Sequence, residues 1–256
     1  MFDRRNFIRN TTLISSGAVV LTKATAENPK ATKVAGYEYR LPKFNKGERL
    51  LFIGDSITDM KWGRNEKDRN HYLGHSYVYL IASRLGVDMP EAELEFFNRG
   101  HSGNRITDLK SRWQKDVIDM KPDLLSILIG VNDRKVKKGQ TFLSDRWESD
   151  YREILTKSRQ ANEKLRIVLL DPFVLKSGWW MNKGGEWDIS RAQIKSMGQI
   201  VSKLARDFNA VHIKTQEVFD VAAKLTGPEQ WIWDGVHPLP QGHELIARNW
   251  LERVSS

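Results

Sequence analysis

Apolar residues fall along this chain in two rhythms. Short continuous runs, such as Leu50-Leu51-Phe52-Ile53 and Leu124-Leu125-Ser126-Ile127-Leu128-Ile129, are bounded by glycine, proline or polar clusters. Longer stretches space their apolar residues three or four apart. The first rhythm predicts strands buried on both faces, the second amphipathic helices. Strands are predicted at 50–53, 94–98, 124–129, 166–170 and 210–213. Helices are predicted at 72–85 (stopping at Gly86), 106–120, 141–162 and 190–208, through Phe219 and Leu225, and at 240–253. Strands that alternate with helices call for a parallel sheet joined by right-handed crossovers and covered on both faces. The fold class read from the pattern is therefore α/β with a five-stranded parallel sheet.

The first apolar run leads into Gly54-Asp55-Ser56-Ile57-Thr58-Asp59. Ser56 is thereby placed at the carboxyl end of a strand and the amino end of a helix. Open α/β sheets hold their ligands at such ends, and unpaired N–H groups there favour negative charge. A serine in this position is either a helix cap or a nucleophile. The other strand ends and late loops carry chemistry too. Gly103 lies in Arg99-Gly100-His101-Ser102-Gly103-Asn104-Arg105, and Asn132 in Gly130-Val131-Asn132-Asp133. Asp234 and His237 share Asp234-Gly235-Val236-His237-Pro238. In a parallel sheet these groups can converge at one edge. A serine hydroxyl needs a base at neutral pH, and an acid three residues before a histidine can hold its tautomer. The Ser56 and Gly103 N–H groups and the Asn132 amide could serve an oxyanion.

These four blocks, in this order and spanning residues 50–246, resemble the SGNH (GDSL-type) serine hydrolases. The resemblance implies a flavodoxin-like three-layer α/β/α sandwich and ester hydrolysis through an acyl-enzyme, without metal or cofactor. It implies Ser56 as nucleophile, His237 as base, Asp234 as its orienting acid, and Ser56, Gly103 and Asn132 as the oxyanion hole. Asn104-Arg105 departs from the small acidic-then-hydroxyl pair that many members have after the block-two glycine. Arg105 therefore sets a cation at the expected mouth of the site, as a candidate substrate contact.

Composition narrows the picture. The chain of 256 residues has no cysteine, which excludes disulfides and thiolate chemistry. Its formal charge is +9, with Arg4, Arg5, Arg9 and Lys23 against Asp3 alone in the first 26 residues. No block of five like charges appears, and no concentrated basic stripe of the kind nucleic-acid binding needs. The first 26 residues run charged, mildly apolar, then Ala24-Thr25-Ala26, the layout of a cleaved export signal. Arg4-Arg5 followed by Phe7-Ile8-Arg9 matches the twin-arginine type. The expectation is an exported bacterial protein, periplasmic or extracellular and without membrane insertion once cleaved, with a linker at 27–47 and the hydrolase domain at 48–256.

Histidines outside the triad blocks read blandly. His71 and His75 are four apart, but no third ligand of fitting spacing accompanies them. His212 reads as a packed strand residue, and His243 as a capping or solvated one. Of the nine tryptophans, Trp62, Trp179, Trp180, Trp187, Trp231 and Trp233 fall in predicted loops. Flat rings suit sugar faces, but they also pack loops. Trp179, Trp180 and Trp233 are the candidate substrate contacts, and no long amphipathic lid suited to lipids is visible. The preferred reading is a secreted esterase that removes a short acyl group, acetyl foremost, from a saccharide, its partner being a small-molecule or polysaccharide ester. The alternatives are a lysophospholipase-like or broad esterase, and a sugar-binding protein that has lost catalysis.

Overall fold

The computed structural model describes residues 40–137 and 139–255. The expected export signal and most of the expected linker lie outside them. Within them the fold is α/β. A five-stranded, all-parallel sheet has the order β2-β1-β3-β4-β5. The strands are β1 (Arg49–Gly54), β2 (Glu95–Gly100), β3 (Leu124–Leu128), β4 (Arg166–Leu170) and β5 (Val211–Ile213). The helices are α1 (Ser56–Asp59), α2 (Tyr77–Asp88), α3 (Ile106–Trp113), α4 (Ser144–Ala161), α5 (Gly184–Asp207), α6 (Thr215–Thr226) and α7 (Pro240–Val254). None is long and apolar enough to cross a membrane.

The sheet is central because its middle strands are apolar apart from Arg49 and Arg166 at their starts and Ser126 within β3. Leu50 to Ile53 are fully buried, and β3 and β4 nearly so. Burial on both faces demands helices on both sides. α2 packs against α7, while α3 packs on α4 and α4 on α5. The lone polar residue of β3 has a partner in this arrangement: Ser126 accepts from Trp250 Nε1 of α7 at 3.0 Å. Phe52, beside Ser126 in the register, meets the same indole at 5.5 Å. Between α3 and α4, Trp113 Nε1 donates to Ser158 at 3.0 Å.

Several boundaries differ from the sequence pattern. α2 starts at Tyr77 because Ser76 caps it, its Oγ accepting from the Val78 N–H at 3.2 Å. Gly86 does not stop this helix, which runs on to Asp88 and ends before Pro90, where proline disfavours a helical residue ahead of it. The stretch after α3 continues as a π turn, Gln114–Ile118, rather than regular helix. α5 begins at Gly184, so Trp187 is helical. The domain also begins before residue 48. Leu41 and Phe44 pack on the core, and Arg166 Nη1 donates to the Lys43 carbonyl at 2.9 Å.

Candidate active site

The turn from β1 into α1 aims Ser56. Asp55, not Ser56, caps the helix: its Oδ1 accepts from the Ile57 N–H at 3.0 Å. That leaves the serine hydroxyl free to face across the sheet edge, where Ser56 Oγ lies 2.8 Å from His237 Nε2. His237 Nδ1 is 2.6 Å from Asp234 Oδ2. The second carboxylate oxygen, Asp234 Oδ1, accepts from the backbone N–H groups of Val236 (2.9 Å) and His237 (2.7 Å). The acid is therefore fixed by its own loop before it touches the imidazole. Burial works against the Asp234 charge, but these three donors outweigh it and hold its pKa below the ordinary aspartate value. The same pair raises His237 above the ordinary histidine value, the hydrogen bond to Asp234 outweighing desolvation.

The loops after β2 and β3 are locked together next to Ser56. Asn132 sits in a 3₁₀ turn, Val131–Asp133. Its side-chain amide donates to the Asn104 carbonyl at 3.1 Å. Arg105 Nε returns a bond to the Asn132 carbonyl at 3.2 Å, and Asp133 accepts from the Ile106 N–H at 3.3 Å through each oxygen. One Asn132 amide hydrogen thus orients the group and leaves the other for a ligand. Gly103, with φ +82°, has open space on its Cβ side, so backbone conformation rather than crowding calls for glycine. Among the described residues, no hydrogen bond takes up the Ser56 or Gly103 N–H. A hydroxyl activated by an imidazole beside such donors can carry out acyl transfer.

The family model described as "GDSL-like Lipase/Acylhydrolase family" matches residues 52–245. An acetylxylan esterase of Geobacillus stearothermophilus is 35% identical over 220 residues, which is 83% of this chain and 96% of that protein. The chain belongs to the GDSL-like lipase/acylhydrolase family. It is a carboxylic ester hydrolase. A crystal structure of Axe2, an acetylxylan esterase from Geobacillus stearothermophilus, superposes with TM-score 0.72 at 33% identity, covering 84% of this chain and 97% of that one. A GDSL-like protein of Parabacteroides merdae ATCC 43184 gives TM-score 0.75 at 33% identity, covering 84% and 98%. A multidomain esterase of Ruminococcus flavefaciens is 25% identical over 80% of this chain but only 28% of its own length. Three Axe2 structures are described as catalytic mutants, altered at a serine, an aspartate and a histidine. In Axe2 the aspartate precedes the histidine by three positions, as Asp234 precedes His237 here.

The tryptophans of this GDSL-like hydrolase divide. Trp179 and Trp233 are 52% and 62% exposed. Trp180 is fully buried, which corrects its reading as a substrate contact. Its ring packs behind the Asp234 loop: a Cβ built on Gly235 would lie 1.9 Å from Trp180 Cδ1. Trp62 is buried as well, with Nε1 donating to the Gly100 carbonyl at 2.8 Å. Gly235→Ala is expected to lose more than ~2 kcal/mol of stability, since φ is +90° and overpacking alone costs about 1–3 kcal/mol. Thermal melting and p-nitrophenyl acetate turnover on the same sample check this; an unchanged melt means the indole yields without cost.

Other contributors escaped the pattern reading. Arg134 looks like one cation in a charged linker, yet it is held inside. Its Nε donates to the Val131 carbonyl and its Nη1 to Ser190 Oγ, both at 2.6 Å, and its guanidinium stands 5.3 Å from the Trp180 ring centre. Burial lowers its pKa to about 10, so it stays charged at neutral pH beside Asp55 and Asp234. Asp59 Oδ2 accepts from Ser102 N–H and Oγ (2.9 and 2.8 Å) and from Arg64 Nη2 (2.7 Å), tying α1 to the Gly103 loop. Burial pushes Asp55 up to about 7 and Asp133 up to about 6. His243 is buried rather than solvated; its Nδ1 accepts from the N–H of Tyr77, the first residue of α2, at 3.2 Å, and burial lowers its pKa to about 3. His71 pairs with Asp68 at 2.9 Å on the surface, and His212 Nε2 meets Asp171 at 2.7 Å.

Proposed function

We propose that this chain is an esterase that removes acetyl groups from carbohydrates through an acyl-enzyme on Ser56. The observation that carries the chemistry is the unbroken line from Ser56 Oγ to His237 Nε2 (2.8 Å) and from His237 Nδ1 to Asp234 (2.6 Å). His237 takes the Ser56 proton as Oγ bonds to the acetyl carbon. The Ser56 and Gly103 N–H groups and the free Asn132 amide hydrogen receive the oxyanion. His237 then returns the proton to the departing sugar oxygen, leaving acetyl-Ser56. Water attacks this ester by the same route, giving acetate and free serine. Asp234 keeps the imidazole in the tautomer with Nε2 open and supports its charge when protonated.

The substrate class is supported by the likeness to an acetylxylan esterase and by the exposed rings of Trp179 and Trp233. Trp233 immediately precedes Asp234, and a Cβ on Gly178 would lie 2.4 Å from the Trp233 carbonyl, so the backbones that carry the two exposed tryptophans run side by side next to the Asp234 loop. Acetate release from acetylated xylo-oligosaccharides, set against fatty-acid release from lysophosphatidylcholine, tests the assignment; fatty acid as the faster product refutes it. Asn132→Ala is expected to lower kcat by ~10²-fold or more with little change in KM, because its bond forms with the transition state. An effect confined to KM would make Asn132 a ground-state contact.

The export signal read at residues 1–26 belongs to the same proposal. In a host lacking twin-arginine transport the full chain should stay in the cytoplasm, while the parent host processes and exports it. Equal export by both hosts would overturn the route.

A further inference from the structure

We infer that a groove running outward from the Asn132 side of the site binds the carboxylates of an acidic glycan, making an acetylated, uronate-bearing saccharide chain the preferred substrate. This rests on the esterase reading above and names its substrate more closely. The groove consists of two cavities. The inner one, about 220 Å³, is lined among others by Arg105, Asp133, Lys135, Phe142 and Arg146. The outer one, about 470 Å³, takes in Lys135, Lys137, Phe142 and Gln193. They share Lys135, Thr141 and Phe142 as walls, so they lie side by side. The inner end abuts the site, because the Arg105 side chain that lines it also holds the Asn132 carbonyl.

The charge lining this groove is one-sided. Its carboxylates are Asp133 and Asp150. Asp133 is buried and turned to the Ile106 N–H. Asp150 is neutralised by Lys110 (2.8 Å) and Arg146 (3.1 Å). Among the described residues the outer cavity has no acidic lining residue. Arg105, Lys135 and Lys137 form no ion pair among the described residues, although this chain pairs many of its other surface cations. An open groove with uncompensated positive charge attracts anions, and a guanidinium fork matches a carboxylate. Phe142, half-buried in the wall the cavities share, offers apolar surface to a sugar ring. A chain whose acetylated residue sits at Ser56 and whose neighbours follow this groove would carry its carboxylates past Lys135 and Lys137.

The test compares kcat/KM for acetate release from acetylated xylotetraose and from an acetylated tetragalacturonide, at low and high NaCl. The acidic substrate is expected to be favoured ~10-fold at low salt, and the preference to collapse at ~1 M, where screening acts within about 3 Å. Lys135→Glu with Lys137→Glu should invert the preference, the melting temperature showing that the variant is folded. Equal use of both substrates by the parent chain, or a preference that neither salt nor charge reversal moves, overturns the inference and leaves the esterase reading intact. No acetate from either substrate, together with no p-nitrophenyl acetate turnover, overturns both. Competitive inhibition by single-stranded DNA but not by unacetylated tetragalacturonide would assign the groove to nucleic acid instead.

Discussion

Ser56→Ala is expected to remove p-nitrophenyl acetate turnover almost completely, with a fall in kcat of ~10⁵-fold or more, because nucleophile and base act as one unit. The fold should survive. The helix cap at this turn is Asp55, so deleting the Ser56 hydroxyl breaks no capping bond. Among the described residues, the one hydrogen bond of the Ser56 hydroxyl is to His237 Nε2. A melting curve close to that of the parent, beside absent turnover and absent labelling by an organophosphonate, is the expected pair of results. Turnover near the parent level would refute the assignment outright.

His237→Ala should cost a comparable factor, since a serine without its base is a poor nucleophile at neutral pH. The pH profile of the parent chain gives a second readout. Only neutral His237 can accept the Ser56 proton. Its pKa is raised by Asp234, so kcat/KM should fall on the acid side with a midpoint above the ordinary histidine value of 6.5. Asp234→Asn removes the anion that supports the imidazolium. The midpoint should then move to lower pH, while the plateau drops by about 10⁴-fold, less than for the nucleophile. A midpoint unmoved by Asp234→Asn would mean that another group sets the acid limb.

Much of the site was legible because its residues sit where regular structure ends. An apolar run followed by Gly54-Asp55-Ser56 marks a strand end, and a parallel sheet puts such ends on one edge. Asp234 and His237 are three apart in one loop, so local chain geometry suffices to bring them together. The role of Asp55 as the cap, which frees Ser56, depended on which of two adjacent polar side chains turned back onto the helix. Arg134 and Trp180 were not legible. A cation in a charged stretch and an aromatic in a glycine-rich loop are common on surfaces, and nothing local says that each buries against the other. Gly86 misled for the opposite reason: an isolated glycine raises the cost of a helix by about 1 kcal/mol, which the α2–α7 packing overrides.

The sequence alone determined the fold class, the number of strands and the identity of the four blocks, because these follow from hydrophobic period and from glycine and polar punctuation, which are local. Only the tertiary structure decided which tryptophans face solvent, how the Asn104 and Asn132 loops brace each other, and where positive charge is left without a partner. Those outcomes depend on contacts between residues far apart in the chain, and burial, hydrogen-bond partners and ion pairs exist only once the sheet has brought them together.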